Sequence, residues 1–153
     1  MNYTVKILWN KNPGEKFIDG KYSRRHRWVF DGGMVILASS SPHVVPLPMS
    51  DGTAVDPEES FLAALSSCHM LFFLSIAAAQ KFIVEKYEDN AEGFIEKIEN
   101  GEMAMTTVNL KPKIIFAGGT IPSEEQIANM HKTAHKKCYI ANSVKSEIHI
   151  IPL

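Results

Sequence analysis

Alternating apolar and polar positions predict that the chain begins with β-structure. Apolar residues recur at every second position from Tyr3 to Trp9, which predicts a strand over residues 3–9. A second strand is predicted over residues 21–30, and the glycines of Asp31-Gly32-Gly33 favour a hairpin that returns over residues 34–38. Residues 39–53 contain three prolines, so we expect a long loop there. Loops of this length have a function more often than short connections do.

A long helix is predicted after this loop. Asp56 is a favourable N-cap, Pro57 suits the first helical position, and Glu59 lies three residues after the cap. Apolar residues then recur at helical spacing, in the order Phe61, Leu65, Cys68, Phe72, Ile76 and Ala79. The helix is expected to end near residues 80–81.

The same helix contains 19 residues without a charge, from Phe61 to Ala79, which is the length of a membrane span. It also contains three serines and His69, and it follows an acidic cap. We therefore interpret it as a helix buried in a soluble protein, with no membrane partner. Because so apolar a helix is hard to cover with one small sheet, a second copy of the chain is expected to cover it.

Strands return in the second half of the chain. A short strand is predicted over residues 82–87, and two longer ones over residues 94–98 and 103–116. Asn100-Gly101 is a strong signal for a two-residue hairpin between them. Pro112 predicts an edge or a break in the second of these strands, because proline cannot donate to a sheet.

A second helix is predicted from Ser123, which forms a capping box with Gln126. One face of this helix carries Ile127, Met130 or His131, Ala134 and Cys138. A final strand is predicted over residues 143–151. The order of elements indicates an α+β fold in which antiparallel sheets pack on two main helices.

Composition limits the possible functions. The 153 residues suggest a single domain over residues 1–153, and a formal net charge of −1 argues against a nucleic-acid partner. Two widely separated cysteines do not make the framework of a secreted disulfide-rich protein. The first ten residues lack the apolar segment of a secretion signal, so we expect a reducing cytoplasmic location.

The two cysteines occupy different helical positions. Cys68 lies within the first helix, so a reactive thiolate there needs a cation from elsewhere in the chain. Cys138 lies at the end of the second helix, where the helix dipole disfavours a thiolate. If one thiol attacks a substrate and the other resolves the product, Cys68 is the attacking residue. The alternative is that both cysteines are small hydrophobic core residues.

The predicted second strand offers that cation. By strand alternation Arg24 and His26 share a face with Trp28 and Phe30, two large aromatic residues that indicate a buried face. Arg25 and Arg27 lie on the opposite, solvated face. An arginine on the apolar face needs a partner, because an unpaired buried charge is costly. The alternative for Arg24 is a side chain that extends to solvent at the end of the strand.

Glu58 lies in the first turn of the first helix, where an acidic residue is favoured by the helix dipole alone. Ten residues separate it from Cys68, about 15 Å along a straight helix, so the two side chains do not touch directly. An arginine that lies along the helix can reach both groups in turn.

A metal site is a competing interpretation. His131 and His135 are four residues apart, Cys138 follows three residues later, and Cys68-His69 supplies further ligand types. The signal is weak because no closely spaced cysteine pair accompanies it. We expect neither a metal nor a cofactor, and a zinc-binding structural domain stays an alternative.

Two segments together resemble a known family. The segment Asp56-Pro57-Glu58-Glu59 with Ala63 to His69 resembles the central helix of the OsmC/Ohr family. The segment from Ala134 to Ser143, which contains Cys138, resembles the second-cysteine segment of that family. Tyr22 to His26 with Asp31-Gly32-Gly33 looks like a divergent OsmC-like branch, so the resemblance spans nearly the whole chain in the right order.

This resemblance implies an intertwined α+β homodimer with two active sites at the subunit interface. It implies reduction of organic hydroperoxides, with Cys68 as the peroxidatic residue, Cys138 as the resolving residue, and a thiol reductant that restores them. Glu58 falls on the acidic position of the family, and the activating arginine falls in the stretch that holds Arg24. A non-enzymatic dimer that binds an apolar small molecule is the remaining alternative.

Overall fold

The computed structural model describes all 153 residues. In chain order its elements are β1 (Val5–Leu8), β2 (His26–Phe30), β3 (Val35–Ala38), α1 (Pro57–Ala79), β4 (Ile83–Asp89), β5 (Glu92–Lys97), β6 (Met103–Leu110), β7 (Pro112–Ala117), α2 (Glu124–Lys137), a short 3-10 helix (Ala141–Ser143) and β8 (Glu147–Ile150). The predicted α+β class is confirmed. The chain forms two compact units, Met1–Phe61 and Leu62–Leu153, which are described in turn.

The first unit is built on an antiparallel sheet in the order β1-β2-β3. The predicted hairpin joins β2 and β3, and Gly33 adopts the positive φ of 85° that its turn requires. The predicted strand over residues 21–30 is wrong in its first half, because β2 begins only at His26. Arg24 therefore lies in the segment that precedes the strand.

A side-chain contact and a backbone contact hold that segment away from a strand conformation. The indole Nε1 of Trp9 donates to the carbonyl of Ser23 at 2.8 Å, and the amide of Arg24 donates to the carbonyl of Met49 at 2.7 Å. The backbone groups that would extend the sheet are thus already bonded elsewhere. Phe17 and Tyr22 stack beside Trp9, with ring centroids 4.4 Å apart, and complete the packing of the segment.

The start of α1 agrees with its prediction. The Asp56 carboxylate accepts a hydrogen bond from the amide of Glu59 at 2.8 Å, and the Glu59 carboxylate accepts one from the amide of Asp56 at 3.3 Å. This reciprocal capping satisfies two amides that the helix leaves free at its first turn. The helix ends at Ala79, and Lys81 follows with a positive φ of 66°.

The second unit contains two sheets, one of β4-β7 and one of β5-β6-β8. The β5-β6 hairpin is confirmed, but its loop spans the three residues 99–101 and not two, because the amide of Ile98 bonds to the carbonyl of Glu102, and Gly101 adopts a φ of 87°. The break predicted at Pro112 is present, since β6 ends at Leu110 and β7 begins at Pro112. The two strands enter different sheets. The β6-β8 pair is parallel, which is an exception to the predicted antiparallel sheets.

The core of the second unit packs α1 against α2 and the β4-β7 sheet. Its fully or nearly buried members are Phe73, Ala77, Phe82, Met130 and Ala134. The fully buried face of α1 consists of Leu65, His69, Phe73 and Ala77. The predicted face is right at Leu65 and in part at Phe72 and Ile76, which pack against the core while partly exposed, and it is wrong at the exposed Ala79. Helical spacing could not select the face, because this helix is apolar on nearly all sides.

The helix α1 is long and apolar enough to cross a membrane. Of its most apolar stretch of 18 residues, only 22% are buried within one chain. The prediction of a buried helix is therefore met only in part by the single chain. The faces of α2 agree better with prediction, since Met130, His131 and Ala134 are all buried.

Candidate active site

The fold brings the two cysteines together, although 69 residues separate them in the sequence. Cys68 lies near the middle of α1, and Cys138 is the C-cap of α2, where its amide donates to the carbonyl of Ala134 at 2.9 Å. Both are free thiols, and the Cys68 side chain is close enough to raise the pKa of the Cys138 thiol. Two thiols of this kind can be joined by a two-electron oxidation.

The surroundings of the two thiols differ. Cys138 is fully buried, and its Sγ accepts a hydrogen bond from the amide of Ala141 at 3.3 Å. Desolvation by burial, followed by the hydrogen bond and charge of Cys68, raises the pKa of the Cys138 thiol to about 11. Cys68 is only partly buried. Cys68 is thus the thiol within reach of a solute, and Cys138 is protonated at neutral pH.

Cys68 opens onto an apolar cavity of about 440 Å³. The lining residues come from one face of α1 and from the segment after α2, and are Ala64, Ser67, Cys68, Leu71, Phe72, Ser75, Tyr139 and Ile140. Tyr139 packs edge-on against Phe72, with ring centroids 5.3 Å apart. A cavity of this size and lining suits a small molecule with a carbon skeleton.

A buried pair of histidines lies beside the cysteines. His69 follows Cys68 on α1, and its Nε2 lies 3.0 Å from Nδ1 of His131 on α2. The two rings are nearly parallel, at 7°, and only 1% and 3% exposed. Burial lowers the pKa of both side chains to about 4, so the pair is neutral at physiological pH.

No group of three or more histidine, cysteine and acidic side chains is arranged to hold a metal ion. His131 is bonded to His69 and Cys138 is next to Cys68, so these predicted ligands face different partners. The geometry gives no support to the alternative of a zinc-binding structural domain.

Among the arginines of the first unit, Arg24 is half-buried, whereas Arg25 and Arg27 are exposed, as the alternation predicted. The Arg24 guanidinium lies 3.7 Å from the centroid of the Tyr22 ring and donates to the carbonyls of Gly20 and Tyr22. Arg25 pairs with Asp51 at 2.9 Å. Arg24 is therefore the one half-buried arginine of this group, and it carries no carboxylate partner.

Glu58 lies in the first turn of α1, as predicted, and one of its carboxylate oxygens is buried without a hydrogen-bond partner. The structure does not pair it with Arg24, whose guanidinium is bonded to backbone carbonyls. A buried carboxylate oxygen without a partner is costly.

The sequence analysis did not find two features of this site. The His69–His131 pair entered the sequence predictions only as possible metal ligands, because the predicted face of α1 did not include His69. Tyr139 was not identified as part of the cavity, and no periodicity could have indicated it, since it follows the end of α2.

Comparison with known proteins supports the predicted resemblance. A family model described as OsmC-like protein matches residues 50–152. An OsmC-like protein of unknown function from Vibrio cholerae is 49% identical, covers 100% of this chain and 99% of its own, and superposes with a TM-score of 0.98. A search of curated proteins found no match.

More distant structures share the fold. An organic hydroperoxide resistance protein from Elizabethkingia anophelis is 20% identical over 99% of this chain and 95% of its own, with a TM-score of 0.67. The organic hydroperoxide resistance protein OhrB of Bacillus subtilis is 15% identical over 98% of both chains, with a TM-score of 0.65. The match over residues 50–152 and the 49% identity across the whole chain establish that this protein belongs to the OsmC family.

Proposed function

We propose that the protein is a thiol-dependent peroxidase that reduces organic hydroperoxides through Cys68 and Cys138. The observation that carries the proposal is the pairing of a partly exposed thiol at an apolar cavity with a buried, neighbouring, protonated thiol. Two distant members of the same fold are named for resistance to organic hydroperoxides. No cofactor takes part in the proposed reaction.

The first step is an attack by the Cys68 thiolate on the terminal oxygen of the hydroperoxide. A sulfur–oxygen bond forms and the oxygen–oxygen bond breaks, so that Cys68 becomes a sulfenic acid and the substrate leaves as an alkoxide, which takes up a proton to give an alcohol. The apolar cavity favours a substrate with an alkyl or aryl group over hydrogen peroxide, because burial of apolar surface is favourable.

The second step joins the two cysteines. The Cys138 sulfur attacks the sulfur of the Cys68 sulfenic acid, the sulfur–oxygen bond breaks, and the departing hydroxide leaves as water with the proton of the Cys138 thiol. Its high pKa keeps that proton on Cys138 until this step. An external thiol reductant then returns both cysteines to thiols and is itself oxidised to a disulfide.

Arg24 and Glu58 are proposed to complete the site. A guanidinium within about 4–6 Å of a thiol lowers its pKa by about 1–3 units, which would make the thiolate a major species at neutral pH. Arg24 has no carboxylate partner, and Glu58 has a buried oxygen without a hydrogen-bond partner. Each side chain can therefore form a further hydrogen bond, either with the other or with the substrate. The same guanidinium would stabilise charge on the departing oxygen.

We further propose a cytoplasmic homodimer. Exposed positions recur along one side of α1, at Ala64, Ser67, Leu71, Ser75 and Ala78. Leu71 is 59% exposed on a helix that carries no charge after its first turn, and a second copy of the chain would cover this surface. Reduced free thiols are consistent with the cytoplasm.

A count of free thiols tests the proposed reaction. One equivalent of cumene hydroperoxide is added to the reduced protein, and thiols are counted after denaturation. We expect a rapid loss of both thiols in the wild type and no turnover in Cys68→Ser. Cys138→Ser should consume one equivalent and then stop. Two thiols that persist after exposure to the peroxide would refute the reaction.

A second candidate function has one specific observation in its favour. The cavity at Cys68 would also hold an apolar small molecule without any reaction. In that case Cys68→Ser would leave the affinity for an unreactive analogue such as cumyl alcohol unchanged, and the wild type would not consume peroxide. Peroxide consumption that depends on Cys68 excludes this candidate as the whole function.

A further inference from the structure

We propose that His69 and His131 are positioning residues that set the register of α1 against α2 and thereby hold Cys138 at Cys68. The proposal deepens the function proposed above, because the register matters to catalysis only if the two thiols form a disulfide. It assigns a role to the buried hydrogen bond between the imidazoles of the two helices that carry the cysteines.

The contact is placed where it controls the cysteines. His69 is adjacent to Cys68 on α1, and His131 precedes Cys138 by seven residues on α2, two turns or about 10 Å. Among the contacts between the two helices, two are polar, one between the imidazoles and one between the thiols. A hydrogen bond fixed at one point resists the rotation and sliding of α2 that would separate the thiols at the other.

A hydrogen bond suits this task better than an apolar contact. It requires a donor and an acceptor about 3 Å apart in a defined direction, whereas apolar side chains pack in many arrangements. The two nitrogens involved are 3.0 Å apart, and Phe73 packs on the His131 ring with centroids 4.4 Å apart. The bond is thus held in a close-packed core, where sliding would leave both imidazoles unpaired.

Stability alone does not explain the pair. His69 Nδ1 and His131 Nε2 are both buried without a partner, and each such group costs free energy that an apolar side chain would not. A leucine at each position would fill the same core without that cost. The position of the pair next to the cysteines gives it a role that an apolar replacement would lose.

The test measures the tendency of the thiols to form a disulfide, without any peroxide. Reduced protein is equilibrated in glutathione buffers, where oxidised glutathione and the two thiols yield the protein disulfide and two molecules of reduced glutathione. The equilibrium constant is the effective concentration of one thiol at the other. It is measured for the wild type and for two variants of nearly equal shape, His131→Asn and His131→Leu.

Asparagine places a polar nitrogen or oxygen near the position of His131 Nδ1, and leucine does not. We expect the effective concentration to stay within about threefold of wild type in His131→Asn and to fall about tenfold in His131→Leu, because the register then loses a restraint worth about one buried hydrogen bond. His149→Asn, at an exposed residue in β8, is the matched control and should have no effect.

Equal values in both folded His131 variants would overturn the proposal, whether both stay high or both fall. If circular dichroism shows that His131→Leu does not fold, the double variant His69→Leu/His131→Leu replaces it, since no polar group is then left unpaired. It should show the same tenfold loss, and a wild-type value would overturn the proposal. Because no peroxide is used, a protein that fails the thiol count with cumene hydroperoxide still gives a decisive answer here.

Discussion

The buried environment of Cys138 predicts a large difference in thiol reactivity within the native protein. The perturbation is alkylation by iodoacetamide, which reacts with thiolates. A thiol whose pKa is about 11 is only about 0.1% ionised at pH 8. An ordinary thiol with a pKa of about 8.5 is about 25% ionised at the same pH. Cys138 should therefore react at least about 200 times more slowly than an ordinary exposed thiol.

The factor is a lower bound because Cys138 is also fully buried, so the reagent has no access to its sulfur in the native state. The assay is a time course in which peptides that contain each cysteine are quantified by mass spectrometry. Cys68 should be modified first, since it is only partly buried. Glutathione in the same solution supplies the rate of an ordinary thiol.

Two controls separate ionisation from access. In denaturant, both cysteines should react at the same rate. In Cys68→Ala, the pKa of Cys138 should fall, because the hydrogen bond and charge of Cys68 are removed, but it should stay high, because desolvation is the largest cause. A rate for native Cys138 within about tenfold of that for glutathione at pH 8 would contradict a buried thiol with a raised pKa.

Three further predictions follow from the structure. Burial lowers the pKa of His69 and His131 from 6.5 to about 4, so the unfolded chain binds protons first as the pH falls. The free energy of unfolding should thus decrease as the pH falls from 6.5 to 4, by up to about 3 kcal/mol for one histidine. In His69→Leu/His131→Leu, the melting temperature measured in thermal melts should depend less on pH over that range. Under the proposed function, Arg24→Met should slow the first oxidation by at least about tenfold in stopped-flow measurements. Arg25→Met breaks only the ion pair with Asp51 and should leave this rate unchanged. Equal effects of the two substitutions would contradict the choice of Arg24. Removal of the α1 cap in Asp56→Ala should lower the free energy of urea unfolding by about 1 kcal/mol, and no change would show that water replaces the lost carboxylate.

The sequence predicted best those elements whose signals are local. The capping residues of a helix interact within one helical turn, so their signal is local. The predicted starts of both long helices are therefore correct. The Asn100-Gly101 and Asp31-Gly32-Gly33 turns likewise located two hairpins. Pro112 marked the break between two strands because the missing amide cannot be replaced by tertiary contacts.

Features that depend on distant contacts were missed. Exposure alternates as predicted from Arg24 to Trp28, but Phe30 is exposed. Ser23 and Arg24 give their backbone groups to Trp9 and Met49, so no strand forms before His26. The buried face of α1 was misassigned because the pattern could not foresee that His69 is buried through a bond to a residue 62 positions later. The family resemblance predicted that the two cysteines form a redox pair. That they lie close together could be established only from the fold.

The hydrogen bond from the Ala141 amide to the Cys138 sulfur gives the protein an internal spectroscopic reporter. Any change in the oxidation or ionisation of that sulfur alters the charge that this amide proton senses across 3.3 Å. The nitrogen–proton resonance of Ala141 should therefore move when Cys138 changes its chemical state. Because the amide belongs to the backbone, the state of a fully buried thiol becomes visible in solution without a label or a substitution near the cysteines.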